Sequence, residues 1–255
     1  MLKGLWKLSW IETKVFVREP MGFIGSLLVP VIIFVIFGRV LGAGPRTVAP
    51  LDETLRPAVD TAPFDVAILA ALLIALGAVQ SLIAIIAIYR EGGILKRLRA
   101  TPLSPITILG AHVAVKLLFT VASLALLVLA GRRIFPGAMQ VNLVSFGAAL
   151  LLSTLSILMF GFVLASLVPT ARFAQPLGAV ILYPMIALSG LFFPTDALPA
   201  WLRGVAFLFP TTHAVALMQG VWDGVGWFAH WENALMLMVL GAVFAALSVR
   251  VFRWE

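Results

Sequence analysis

The sequence predicts an all-α integral membrane protein, on three observations. Of 255 residues, 62% are hydrophobic and only 11% are charged, against about 45–50% and about 25% in a soluble domain. So few charges cannot clothe a water-exposed surface, whereas a lipid-facing surface needs none. The apolar residues fall in long unbroken runs near the roughly 20 residues that a helix needs to cross the hydrocarbon core. They do not show the alternating segments of about ten residues that mark a membrane β-barrel.

Six runs read as spans: 21–41, 64–88, 106–130, 143–168, 176–193 and 234–249. Together they make 1–255 one transmembrane domain. Pro184 sits inside the fifth span, where neighbouring helices can satisfy the carbonyl it frees. The first run is longer than the core of about 7–15 residues in a signal peptide and follows a leading segment, so it reads as a retained helix. That leading segment, 1–20, reads as an amphipathic interface helix. Lys3, Lys7, Lys14 and Arg18 share an arc of about 60° at 100° per residue, while Leu2, Leu5, Trp6, Val15 and Phe16 cover much of the rest. Such a helix lies at the membrane surface with its basic stripe near anionic head groups. It serves either as a membrane anchor or as a docking surface for a cytosolic partner.

Orientation follows from the basic residues. With both termini in the cytosol, eleven of the 18 Lys and Arg fall in inner segments, six in outer ones, and Lys116 lies within a span. Arg132 and Arg133 run against this bias. The net charge of +7 is then read as basic cytosolic loops, not as a nucleic-acid surface. The chain has no cysteine, which removes disulfides and thiolate chemistry. His112, His213 and His230 lack metal-ligand spacing, so no metal site is expected.

The inner loop 89–105 reads YREGGILKRLRATPLSP. Gly92 and Gly93 permit a sharp entry. Residues 94–99 are expected to form a short helix with Ile94, Leu95 and Leu98 on one side and Lys96, Arg97 and Arg99 elsewhere. Pro102 and Pro105 then turn the chain back. A short, rigid, basic element suits a lever pushed by an outside protein, and it equally suits a topology anchor. Between spans five and six, the outer segment 194–231 and its approach carry Phe193, Trp201, Phe207, Phe209 and Trp222, broken by Pro194, Pro199, Pro210, Gly220 and Gly224. This pattern predicts short re-entrant helices. The aromatics form an interfacial belt or an exit gate built on Phe193, Pro194, Trp201 and Phe209.

Polar groups inside the spans are few. Lys116 is the one charged residue well inside a span, with His112 one turn before it. A charge there invites a functional reading, although a lysine can also snorkel. Gln80 and Lys116 are the pathway candidates. Ser153, Thr154 and Ser156 could line a route or bond across helices. Gly161 and Ala165 fit close helix packing.

The loop resembles the signature of the ABC-2-type permease family, Glu-x-Gly-x-Leu-x-x-Leu-x-x-Thr-Pro-Leu-Ser. Glu91, Gly93, Leu95, Leu98, Thr101, Pro102, Leu103 and Ser104 stand at the matching positions. The stretch YPMIALSGLFFPTDALPAWL at 183–202 is similar to the family's exit from span five, and FPTTHAVALMQG at 209–220 is a weaker match. The resemblance implies a permease subunit of an ATP-driven exporter, a likeness that covers nearly the whole chain. It implies two copies of the permease, a homodimer, in the cytoplasmic membrane of a prokaryote. Two copies of a separate cytosolic ATP-binding subunit would bind ATP and Mg. The interface helix, with Lys3, Lys7, Lys14 and Arg18, and the coupling segment, with Glu91, Gly93, Leu95, Arg97, Leu98, Thr101 and Pro102, would touch that subunit. The implied cargo is an amphiphilic drug or lipid, with a polysaccharide or lipid-linked glycan as the alternative.

The residues agree with a non-enzymatic subunit. A P-loop needs Gly-Lys followed by Ser or Thr, and the dipeptide Gly-Lys occurs nowhere in the chain. No catalytic residue and no cofactor site is expected, and membrane lipids are the remaining partner. A secondary transporter would want acids near span centres, where this sequence places none. An intramembrane enzyme would want a nucleophile–base pair or a metal cluster.

Overall fold

The computed structural model describes residues 2–18, 20–40, 66–94, 105–134, 142–168, 170–192 and 194–251. Among them there is no strand. The described residues form nine α-helices in order: α1 Leu2–Arg18, α2 Pro20–Val40, α3 Val66–Glu91, α4 Pro105–Ile134, α5 Leu143–Leu167, α6 Ala171–Ala187, α7 Ala200–Leu208, α8 Pro210–Trp222 and α9 Trp231–Val251. Single 3₁₀ turns, Thr195–Ala197 and Phe228–His230, precede α7 and α9.

Local chemistry explains several boundaries. Pro105 opens α4, where its missing N–H has no intrahelical partner to lose. Asn142 caps α5, its Oδ1 accepting from the backbone N–H of Val144 at 3.1 Å and of Ser145 at 3.2 Å. The loop 42–63 lies outside the described residues.

Among the described residues, four helical segments are long and apolar enough to cross a membrane: Ile68–Glu91, Gly110–Ile134, Leu143–Leu167 and Phe228–Val251. Ala200–Leu208 and Pro210–Trp222 pass only as a pair, bent by 85°. The apolar part described for α2 is the shorter Leu27–Phe37. The fifth expected run is displaced: its helix, α6, starts at Ala171, five residues early, and ends at Ala187. Beyond it the chain turns through Gly190, whose φ of +87° suits a residue without a Cβ.

Helices α3 and α5 form the centre. Both are buried over most of their length, whereas α9 and α4 are largely open outward. Helix α5 packs on α9, α3 and α8, while α2 lies across α3 and α4. The centre is close-packed where side chains are smallest. A Cβ added at Gly161 would come within 2.8 Å of Val79 Cγ1, so glycine there sets the α3–α5 approach. Helix α1 rests mainly on α4, with a smaller contact to α2.

Candidate functional site

The wheel of α1 has two sides. Lys7, Lys14 and Arg18 on the basic arc are exposed, and the side chain of Lys3 lies outside the described ones. Opposite the arc, Glu12 is turned inward and is only 7% exposed. It meets both helices that bracket the loop 89–105. From the end of α3, the Tyr89 hydroxyl donates to Glu12 Oε1 at 2.8 Å. From the first turns of α4, His112 Nδ1 lies 3.6 Å from Glu12 Oε2. The Tyr89 and His112 rings stand 5.7 Å apart at 58°. Lys116, one turn beyond His112, is 6% exposed, and its charge acts on Glu12.

Burying a carboxylate is costly unless it is hydrogen-bonded or paired. Desolvation holds the Glu12 carboxyl above its ordinary 4.5, against the Tyr89 hydrogen bond and the Lys116 charge, which both lower it. Arg90 adds a second tie beside the loop. Its Nη1 donates to the carbonyls of Ala165, at 3.2 Å, and Val168, where the last turn of α5 leaves carbonyls without helical partners. A cation there also complements the helix dipole.

The sequence-predicted coupling residues meet this cluster in part. Glu91 is exposed at the end of α3. Gly93 has φ +67°, a conformation that favours glycine. Leu95, Arg97, Leu98, Thr101 and Pro102 lie outside the described residues. Of the pathway candidates, Lys116 belongs to the Glu12 cluster, whereas Gln80 does not. Gln80 Nε2 donates to Gln175 Oε1 at 3.0 Å, and a Cβ on Gly178 would collide with Gln80. Gln80 therefore ties α3 to α6. Ser153, Thr154 and Ser156 on α5 are buried, and their hydroxyl oxygens have no hydrogen-bond partner. Among the described residues no group of three acids or histidines could hold a metal ion.

At the other predicted site, Phe193 lies outside the described residues. Pro194 is exposed, and Trp201 on α7 is 72% exposed. Phe209, at the bend between α7 and α8, is half-buried and meets Phe160 edge-on at 6.3 Å. At the bend, side chains of the motif bond the last carbonyls of α7, that of Ala206 alongside the Phe209 N–H. Thr212 Oγ1 donates to Ala206 O at 2.6 Å, and His213 Nε2 stands 3.0 Å from Phe207 O. A carbonyl only accepts, so that ring nitrogen carries the proton. Thr211 Oγ1 donates to Met185 O on α6 at 3.0 Å, and His213 Nδ1 lies 3.0 Å from the Asn233 amide on α9.

Sequence reasoning missed Glu12, Tyr89 and Arg90 as site residues. The signal for Glu12 was present: it is the one acid on the face of the first helix that the lysines leave apolar.

The model of the ABC-2 type transporter family matches residues 3–222. The inner membrane transport permease YhhJ of Escherichia coli is 30% identical over 169 residues, covering 64% of this chain and 44% of that protein. Its counterpart in Shigella flexneri matches equally. The daunorubicin resistance ABC transporter permease protein DrrB1 of Streptomyces coeruleorubidus is 31% identical over 77 residues, which is 29% of this chain and 26% of that protein. The chain thus spans less than half the length of these curated relatives.

Proposed function

The chain belongs to the ABC-2 type transporter family, and on that premise we propose that it is the membrane-spanning permease subunit of an ATP-driven exporter. Its cargo is an amphiphilic drug or lipid-like molecule leaving the cytosol or inner leaflet. The observation that carries this reading is the Glu12 cluster. One carboxylate ties the interface helix to Tyr89 before the loop 89–105 and to His112 after it. A push on α1 or on the loop is thereby shared with α3 and α4, the helices that must move for cargo to pass. Two copies of the chain pair with two copies of a cytosolic ATP-binding subunit, which holds ATP and Mg. That subunit docks on Lys3, Lys7, Lys14 and Arg18 and on the loop residues Glu91, Gly93, Leu95, Arg97, Leu98, Thr101 and Pro102. The drug-resistance name of one relative supports a drug over a glycan.

In this arrangement α2, α3, α4, α5, α6 and α9 are the six spans, both termini are cytosolic, and α7–α8 dips into the outer leaflet. Backbone breaks at membrane depth survive where protein covers them, and the Thr212 and His213 bonds supply that cover. Phe193, Pro194, Trp201 and Phe209 of two copies then meet as an outer gate. Trp201→Ala is expected to widen the cargo range or raise the resting leak. An unchanged profile with normal leak returns Trp201 to a role as membrane anchor.

The test is to isolate the chain with the ATPase that co-purifies and reconstitute the complex in proteoliposomes. ATP hydrolysis and uptake are then followed with a daunorubicin-type drug, a fluorescent phospholipid and a lipid-linked glycan. Drug or phospholipid uptake should require ATP, and Arg97→Glu should keep hydrolysis while losing transport. Wild-type transport in Arg97→Glu would sink the coupling assignment. Uptake driven by a pH gradient without ATP would point instead to a secondary transporter.

A further inference from the structure

Outside the Glu12 cluster, a groove of about 440 Å³ opens between α1 and α4. Trp6, Ser9 and Trp10 line it from one helix, and Ala114 and Leu118 from the other. A water molecule needs only about 30 Å³, so the space suits a hydrocarbon chain better than an ion. Its walls are apolar and open: Trp6 is 73% exposed, and Trp10 and Leu118 are exposed beside it.

Two features of the groove indicate what occupies it. On the α1 wheel, the lining residues fall at about 180–280° and the basic arc follows at about 300–360°. Lys14 Nζ already stands 5.2 Å from the Trp10 ring centroid, and Lys7 is exposed on the same arc. The rim of an apolar groove is therefore cationic. Within the groove, Ser9 Oγ is buried with no hydrogen-bond partner, a costly state for a hydroxyl in apolar surroundings. A free fatty tail would leave both features unmet, and a zwitterionic lipid would leave the cationic rim without a net negative charge.

We propose that this groove binds an anionic phospholipid. The acyl chain lies on Trp6, Trp10 and Leu118, the phosphate faces Lys7 and Lys14, and an ester oxygen accepts from Ser9. Such a site fixes α1 against α4 at a defined depth, and it does not depend on the transport reading.

The full chain in phosphatidylcholine nanodiscs tests this. Brominated phosphatidylglycerol or brominated phosphatidylcholine is added at equal mole fraction, and tryptophan quenching is compared between the wild type and Trp6→Phe/Trp10→Phe. The difference isolates the groove. One lysine near an anionic head group is worth roughly a fivefold preference, so the brominated phosphatidylglycerol should bind at least that much better. Lys7→Gln/Lys14→Gln should bring the two lipids to parity, and Ser9→Leu should reduce quenching by both. Native mass spectrometry of the wild type, counting retained phosphatidylglycerol against phosphatidylcholine, gives the same answer without any substitution. Equal binding of the two lipids in the wild type overturns the proposal, as does a preference that survives Lys7→Gln/Lys14→Gln. Quenching that ignores Trp6 and Trp10 also overturns it, because the added lipid then does not sit in the groove.

Discussion

Glu12 is a buried acid on a helix whose described lysines and arginine are exposed, and its burial has a consequence that depends on pH. Desolvation raises its pKa above the ordinary 4.5. The folded state then holds a proton over a pH range in which the unfolded chain has lost it. Stability therefore falls as pH rises from about the ordinary carboxylate value through the raised one, and then levels. Glu12→Gln keeps an acceptor for Tyr89 and cannot titrate. Between pH 4 and 7 its melting temperature, followed by tryptophan fluorescence, should gain on the wild type and then run parallel. Identical pH profiles would show that the carboxylate is not buried. Tyr89→Phe should act oppositely, removing one donor from a charged acceptor at a loss of about 1.5–3 kcal/mol at neutral pH. The same substitution in a Glu12→Gln background should cost clearly less, and equal losses in both backgrounds would exclude the bond. Lys116 was legible in the sequence because a charge inside a long apolar run stands out. Glu12 left a fainter signal, as the one acid on the apolar face of α1, and its role becomes specific only once α4 packs on that face.

At the scale of elements, apolar runs located the helices well, to within a few residues for 64–88, 143–168 and 234–249. Run length is set by the local chain and needs no tertiary information. The run 176–193 was displaced because hydrophobicity continues through the turn at 188–192 while the helix ends at Ala187. The 85° bend at Phe209–Pro210 was legible only as a break, from its proline. Its stabilisation was not, because Thr212 and His213 act through folded-state geometry. The Ala206 carbonyl keeps the Phe209 N–H, so Thr212→Val removes only one of two donors to that carbonyl. His213→Leu orphans that of Phe207 and also loses the link to Asn233 on α9. Interhelical bonds in membranes average about 0.6 kcal/mol, and orphaned buried groups cost about 1–3 kcal/mol. Thr212→Val, which orphans no carbonyl, is expected near the lower figure, and His213→Leu in the upper range. Detergent-titrated unfolding checks both, and wild-type stability in the two variants would show that the bend is held by other contacts.

For the whole molecule, the number of crossings turns on α6 and the bent pair. Helix α6 has 17 residues and so reaches about 26 Å, slightly short of a hydrocarbon core of about 30 Å. Helices α7 and α8, with 9 and 13 residues, reach about 14 and 20 Å. Bent at 85°, they are not collinear, so neither reaches across alone. The positive-inside count favours a crossing by α6 and a return by α9, which puts both termini on one side. Because the native chain has no cysteine, single cysteines report without background. Glu91, Asp196 and Val225 are exposed positions before α4, between α6 and α7, and between α8 and α9. Six spans with a re-entrant pair predict that cysteines at Asp196 and Val225 react from one side and a cysteine at Glu91 from the other. If the bent pair crosses instead of α6, the cysteine at Asp196 joins that at Glu91, and Val225 stands alone. If neither crosses, all three react from one side. A membrane-impermeant maleimide applied to right-side-out and inverted vesicles separates these patterns, and only the first is compatible with an outer gate built on Trp201.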